Sequence, residues 1–291
     1  MTATTCNVCG TEGSVLHHRQ HDRELRRCPG CGLVYVDPMP SAEEKAEIER
    51  RAHIEDLLPE VAEFFDNCHR DFREDAVIRG FRHGLQTIGR HVDGGKMLDV
   101  GPGTGIFLHL AHAEFAWNPV GIDICPESAE KAAREFDIDI DVGDFMDFEY
   151  APGTFDCITM LDMLEHTIDP SAVLARAYDL LRPGGVLYVV VPNQRCLMTV
   201  LLDRYIRLGA PGGRFFMDRL YVPPHVYYFN PTALRTALER AGFQVASFEG
   251  GNVYLGRYRL PLWMRIPMEI ALRGGGLVGM HAKLLALGKK P

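Results

Sequence analysis

LDVGPGTG, residues 98–105, decides how the rest of the chain reads. KMLDVG (96–101) has the apolar content of a short buried strand, and three glycines then alternate with Pro102 and Thr104. Glycines in a turn between a strand and a helix let the main chain approach a ligand closely, with N–H groups facing it. The dinucleotide fingerprint would require Gly or Ala at position 106, where Ile106 stands, so the turn points away from a nicotinamide cofactor. A helix is predicted from the turn through about Ala113.

Outward from this turn, strands and helices alternate. PVGIDI (119–124) is a second strand, DIDV (139–142) a third, FDCITML (155–161) a fourth and VLYVVVP (186–192) a fifth. Helices are predicted from Pro126 to about Phe136 and from Pro170 to Leu181, the latter stopped by RPGG (182–185). NPTALRTALERAGF (230–243) reads as a helix capped by Asn230, with Pro231 in its first turn and Gly242 at its end. QVASFEG (244–250) and HAKLLALGK (281–289) supply the last strands. Such alternation gives a doubly wound, mostly parallel α/β sheet over 93–291. Residues 194–222 read as an irregular insertion, and Leu260–Leu272 as a partly amphipathic helix that covers a core. Residues 41–92 read as a helical linker or lid, opened by a capping box of Ser41 and Glu44 and divided at Pro59.

The chain has 291 residues and a formal net charge of −8, which argues against a general nucleic-acid or anionic-membrane binder. Neither a signal peptide nor an apolar run of membrane-spanning length is visible, so a cytoplasmic setting without an integral membrane segment is expected. Eight cysteines in that setting are reduced, and paired ones suggest metal before disulfide. Cys6-x-x-Cys9 and Cys28-x-x-Cys31 have the spacing of a two-knuckle zinc ribbon, with Gly10 and Gly32 directly after each pair. Four thiolates close the coordination shell, so a structural Zn²⁺ is expected in a module over residues 1–40. His17, His18 and His21 are not needed as ligands. Cys68, Cys125, Cys157 and Cys196 are scattered and read as ordinary core or loop residues.

Two acids stand where a nucleoside would be read. Asp123 ends the second strand, and its carboxylate suits a pair of ribose hydroxyls. Asp144, in VGDF, can accept from an adenine amino group, with Phe145 or Ile124 against the ring. In order, LDVGPGTG, GIDI, VGDF, FDCITMLDMLEH and LRPGGVLYVVVPN resemble the successive motifs of class I S-adenosylmethionine-dependent methyltransferases, over roughly residues 60–290. The resemblance implies that Asp99, Gly101, Pro102, Gly103, Thr104 and Gly105 lie near the methionine part of the cofactor. It places Leu161 to Met163 on the floor between cofactor and acceptor, with Leu161 on the cofactor side and Met163 on the acceptor side.

LDMLEHTIDP (161–170) puts Asp162, Glu165 and His166 just past the fourth strand. This resembles the quinone-pathway O-methyltransferases, in which an acid, a Glu and a His of this loop are associated with a divalent cation. Three roles stay open: His166 as general base, the trio as a divalent-metal site, or a loop-shaping role without chemistry. HVYYF (225–229) adds His225 to the candidate catalytic residues and Tyr228 to the acceptor wall. The expected activity is methyl transfer to a small-molecule acceptor, O-methylation favoured, of a secondary-metabolite, sugar or quinone-like kind. An rRNA or tRNA methyltransferase gripping RNA with the ribbon is the alternative, and a non-catalytic cofactor-binding protein a third. The sequence does not fix the oligomeric state.

Overall fold

The computed structural model describes residues 5–21, 23–45, 47, 76–222, 224–253, 255 and 261–291. The helices expected between 48 and 75, and the divide at Pro59, lie outside the described residues. The capping box does form: the Ser41 N–H donates to Glu44 (2.8 Å), and the Glu44 N–H to the Ser41 hydroxyl (3.2 Å), with helix beginning at Ala42.

A seven-stranded sheet forms the centre. In chain order its strands are β4 (Gly95–Val100), β5 (Trp117–Asp123), β6 (Ile140–Val142), β7 (Phe155–Leu161), β8 (Leu181–Pro192), β10 (Gln244–Gly251) and β11 (Lys283–Lys289). Their spatial order is β10-β11-β8-β7-β4-β5-β6, all parallel pairs except those that β11 makes. β4 is flanked by β5 on one side and β7 on the other. The strand order therefore reverses there, and a crevice opens at the carboxyl ends, where ligands of such sheets bind. RPGG (182–185), expected as a stop, lies inside β8 instead.

Helices cover both faces, which is why the central strands read as continuous apolar runs. On one face α1 (Ala76–Gly89) and α2 (Ile106–Phe115) pack on Met97, Cys157, Val186 and Tyr188. On the other, α4 (Pro170–Leu180) and α7 (Pro231–Arg240) pack on Leu98, Val100, Ile158 and Leu187. α3 (Pro126–Phe136) lies between β5 and β6 in the chain. The helix starts follow capping chemistry: Asp169 accepts from the Ala172 N–H at 2.9 Å and Asn230 from the Ala233 N–H at 3.1 Å, each just before a proline.

Residues 194–222 are largely helical, contrary to the irregular insertion expected: α5 (Leu197–Arg207) and α6 (Gly213–Leu220) occupy most of them. Cys196 caps α5, an uncommon capping residue that hides the start of the helix in the sequence. α8 (Leu262–Leu277) is also a helix, and as expected it covers a core, a small one in which Leu272 and Met268 pack with Leu255 and Ala282. Only Met264, Leu272 and Gly275 are buried, while Leu262, Trp263, Ile266 and Ile270 are exposed. Among the described residues no helix is long and apolar enough to cross a membrane.

The N-terminal region builds a second sheet from β1 (Val15–Gln20), β2 (Arg23–Arg27) and β3 (Val34–Asp37). Its fourth strand comes from far along the chain. β9 (Tyr227–Tyr228) pairs antiparallel with β3, Val34 opposite Tyr228 and Tyr35 opposite Tyr227. The same buried cluster that holds Cys6, Cys28 and Leu33 also holds Phe229, Leu234 and Leu187, so one core runs from the small sheet into the large one.

Gly101, Gly103 and Gly105 all have left-handed backbone, with φ of 75°, 54° and 77°. A Cβ at Gly105 would lie 2.8 Å from the Ala132 Cβ, whereas one at Gly103 meets nothing within 4 Å. Gly103→Ala therefore carries only the backbone penalty of about 1–2 kcal/mol, and Gly105→Ala adds a packing clash for a total of roughly 2–4 kcal/mol. Urea denaturation of the two variants checks this, and equal losses would contradict it.

Candidate active site

The glycine turn and Asp123 form one unit at the ends of β4 and β5. The Gly101 N–H donates to the Ile122 carbonyl at 2.9 Å, which fixes the turn against β5. The Asp123 carboxylate accepts from the Gly103 N–H at 3.2 Å and from the Cys125 N–H at 2.9 Å. Pro102 lies against β5, its Cγ 2.8 Å from where a Gly121 Cβ would stand, and Thr104 is half-buried in the same turn. Asp144 is exposed past β6, accepting from the Met146 N–H at 2.8 Å.

One predicted cofactor contact, Phe145, falls elsewhere, and Asp99 lies beneath the turn. Phe145 is 4% exposed, and the Arg176 guanidinium stands 5.5 Å from its ring centre, so the ring belongs to the core. Ile124, the other candidate, is exposed. Asp99 is buried inside the sheet, where it accepts from the Thr159 hydroxyl at 2.7 Å. Through this bond it holds the strand directly beneath the glycine turn.

The acceptor side is regrouped. Asp162 has a left-handed backbone (φ 54°), and its carboxylate pairs with Lys283 on β11 while its charge still reaches Glu165 and His166. The predicted trio of Asp162, Glu165 and His166 is therefore replaced by Glu165, His166 and His225, whose ligand-type atoms lie within 4.8 Å of one another. The rings of His166 and His225 meet edge to face, with centroids 4.6 Å apart. The His225 Nε2 is 4.0 Å from a Glu165 oxygen. Leu161 and Met163 are half-buried beside this loop, and the Met163 Cγ is 3.3 Å from where a Gly101 Cβ would stand. Tyr228 does not line a cleft. It is buried, and its hydroxyl donates to the carbonyls of Val222 and His225, both at 3.2 Å, which holds the His225 loop in place.

Both oxygens of Glu165 are buried without a hydrogen-bond partner among the described residues. Burial pushes its carboxyl well above the usual range, and the charge of Asp162 adds to this. Burial also holds His166 well below an ordinary imidazole, with His225 and then Lys45 contributing. His225 is lowered to about 3 by burial, then by Lys45, Lys283 and Arg23. Both rings are neutral at physiological pH and have a lone pair to offer. Lys45, which no sequence motif singled out, is buried and close enough to influence all three groups. The one available sequence signal was its place a turn after the capping box.

The four ribbon sulfurs converge. The Cys6 and Cys31 Sγ atoms are 3.8 Å apart and those of Cys9 and Cys28 3.4 Å. A tetrahedron with bonds of about 2.3 Å has edges of about 3.8 Å. The two knuckles repeat one pattern: the Gly10 N–H donates to the Cys6 carbonyl at 2.9 Å, and the Gly32 N–H to the Cys28 carbonyl at 3.0 Å. The nearby histidines go elsewhere. His18 bonds to Asp203 on α5 at 2.5 Å and His17 to the Tyr221 hydroxyl at 2.8 Å. Arg207 donates to the Nδ1 of His17 at 2.6 Å, so the Nε2 carries the proton and is no metal ligand. Burial alone would raise Asp203, but the bonds from His17 and His18 outweigh it and hold the carboxylate well below its usual range.

A glycine turn at a topological switch point, an acid at the end of the next strand and a polar cluster beyond the fourth parallel strand define an S-adenosylmethionine-dependent methyltransferase. The chain belongs to the methyltransferase domain family, whose sequence model matches residues 69–247. The ubiquinone biosynthesis O-methyltransferase of Xanthomonas euvesicatoria is 30% identical over 54% of this chain and 66% of its own length. The enzyme of the same name from Methylococcus capsulatus is 27% identical over 70% of this chain and 89% of its own. Among solved structures, phosphoethanolamine N-methyltransferase 2 of Haemonchus contortus superimposes with a TM-score of 0.58 at 15% identity, over 89% of this chain and 62% of that one. A SAM-dependent methyltransferase from Archaeoglobus fulgidus gives 0.53 at 18% identity, over 78% and 100%. At these identities the structural likenesses establish the fold alone.

Burial raises the Asp99 carboxyl from 3.8 to about 7, against the opposing bond from Thr159. The native state then keeps a proton that the unfolded state releases, so this group's contribution to stability falls as pH rises between those values. Asp99→Asn stays neutral and should gain on the wild type by up to about 1.4 kcal/mol per pH unit between pH 5 and 7. Urea midpoints measured across that range test it, and parallel curves would refute it.

Proposed function

We propose that the chain transfers a methyl group from S-adenosylmethionine to an oxygen of a small, quinone-like acceptor held at Glu165, His166 and His225. The observation that carries this reading is Glu165: a buried carboxyl group without a hydrogen-bond partner among the described residues, beside two neutral imidazoles, in the turn that follows β7. The names of the curated relatives agree with the acceptor class.

On the donor side, the side-chain-free backbone of the 101–105 turn lets the methionine part approach closely, Asp123 accepts from the ribose hydroxyls and Asp144 from the adenine amino group. Ile124, being exposed, lies against the adenine in place of Phe145. When bound, the cofactor supplies a methyl group on a cationic sulfur, an electrophile that needs alignment and exclusion of water more than activation. His166 takes the acceptor's hydroxyl proton as that oxygen bonds to the methyl carbon and the carbon–sulfur bond breaks, leaving neutral S-adenosylhomocysteine, and His225, lowered to about 3, positions the acceptor. Oxygen and imidazole donors also suit a divalent cation. Glu165, His166 and His225 would hold it, and its chemistry there is to polarise the acceptor oxygen. Lys45, on the helix opened by Ser41 and Glu44, brings a cation near the acceptor cluster.

Residues 1–40 form a zinc ribbon in the same reading, since the four sulfur positions fit a tetrahedral ion. Metal analysis of purified protein should find about one zinc per chain, falling to none when Cys28 and Cys31 are both replaced by Ser. A folded chain without zinc would overturn the assignment.

His166→Gln keeps the size of the side chain and removes the titratable ring. Turnover with a catechol or hydroquinone acceptor should fall roughly 100-fold, with S-adenosylhomocysteine affinity unchanged by calorimetry. If the cluster holds a divalent cation, chelation reproduces the loss in the wild type and added Mg²⁺ or Mn²⁺ reverses it. Full activity in the variant, with no response to chelation, would remove His166 from the chemistry.

A further inference from the structure

The two halves of the acceptor cluster come from different parts of the chain. Glu165 and His166 follow β7, and His225 precedes α7. β7 and β9 belong to different sheets, and the Tyr227 hydroxyl, donating to the Ile168 carbonyl at 3.0 Å, is one direct tie between the two segments. The N-terminal module meets both. Val226 is the middle rung: its N–H donates to the Glu165 carbonyl at 3.0 Å, and its own carbonyl accepts from the Val36 N–H at 3.0 Å. β9 continues that contact by pairing with β3.

Each cysteine knuckle then rests on the first turn of one of the two helices. In the first, the Asn7 side chain donates to Asp169 at 3.0 Å and accepts from the Ser171 N–H at 3.2 Å, and the Ser171 hydroxyl donates to the Asn7 carbonyl at 2.7 Å. Asp169 caps α4, directly after the Glu165–His166 turn. In the second, the buried Asn230 caps α7 through its carbonyl oxygen and spends its amide on the Cys31 carbonyl at 3.1 Å. One side chain thus couples a helix start to a cysteine backbone 199 residues away.

We infer that the four-cysteine module is the spacer of the acceptor site: its two knuckles fix the separation of the Glu165–His166 turn from His225, and Asn7 and Asn230 are positioning residues for the reaction. This rests on the acceptor centre and the metal-loaded ribbon proposed above. A ribbon serving as an independent grip for RNA would need none of these ties. One that sets the geometry of a reacting cluster needs both, since a displacement of about 1 Å can cost roughly 100-fold in rate.

Asn230→Ser separates the two duties of Asn230. Serine caps a helix about as well as asparagine but has no amide to reach Cys31. In the full-length, zinc-loaded variant, S-adenosylhomocysteine affinity and zinc content should match the wild type, while kcat falls roughly 10- to 100-fold. By hydrogen exchange, the amides of 164–168 and 225–229 should open about fivefold faster or more, and those of 98–110 should not change. Asn7→Ala, on the exposed knuckle, should move the same two segments and serves if the buried substitution does not fold. Unchanged exchange in both segments would overturn the inference, as would an equal rise in 98–110, which would mark a general loss of stability. Faster exchange with undiminished turnover would keep the clamp and remove the acceptor-centre reading instead.

Discussion

A carboxyl group taken out of water must find a partner or keep its proton, and Glu165 faces that requirement at the centre of the acceptor cluster. Its oxygens have no hydrogen-bond donor among the described residues, burial pushes the carboxyl well above the usual range, and Lys283 and Lys45 oppose that rise, with His166 and His225 beside it. Each neighbour is itself placed at a cost, since the two imidazoles lie well below their usual pKa and a lysine is seldom buried.

The rest of the molecule can be understood as support for that group. The parallel strands bring the 162–166 loop to the same edge as the glycine turn, and Met163 bridges the two beneath Gly101. The α5–α6 segment holds the other side of the small sheet through Asp203, which draws in His17, His18 and the Tyr221 hydroxyl. Tyr228 spends its hydroxyl on two carbonyls so that the His225 loop keeps its shape.

Local chemistry was legible in the sequence, and long-range chemistry was not. The three glycines, the caps at Asp169 and Asn230, the Ser41–Glu44 box and the cysteine knuckles all act within a few residues, and each forms as its spacing suggests. Asp162 looked like a partner of Glu165 because they are near in sequence; its left-handed backbone and Lys283, on the antiparallel strand β11, decide otherwise. Phe145 looked like a ring for adenine to stack on until Arg176 and the core claimed it. β9 is two residues long, too short for any alternation to show, and only its partner β3 makes it a strand. Lys45 carries no motif at all, since its value comes from what the fold places around it.

The pairing of β3 with β9 also sets an order of assembly. Synthesis delivers the cysteine knuckles and β3 first and the segment around Tyr227 and Asn230 much later, so the edge of β3 at Val34 to Val36 waits open while most of the chain is made. An open strand edge is a template for wrong partners as well as right ones. The knuckles are local turns that need no late residue to close, so a metal captured early would hold that edge in its final shape. The late strand would then arrive at a finished template, and the slowest long-range contact of the fold would become a docking step instead of a search.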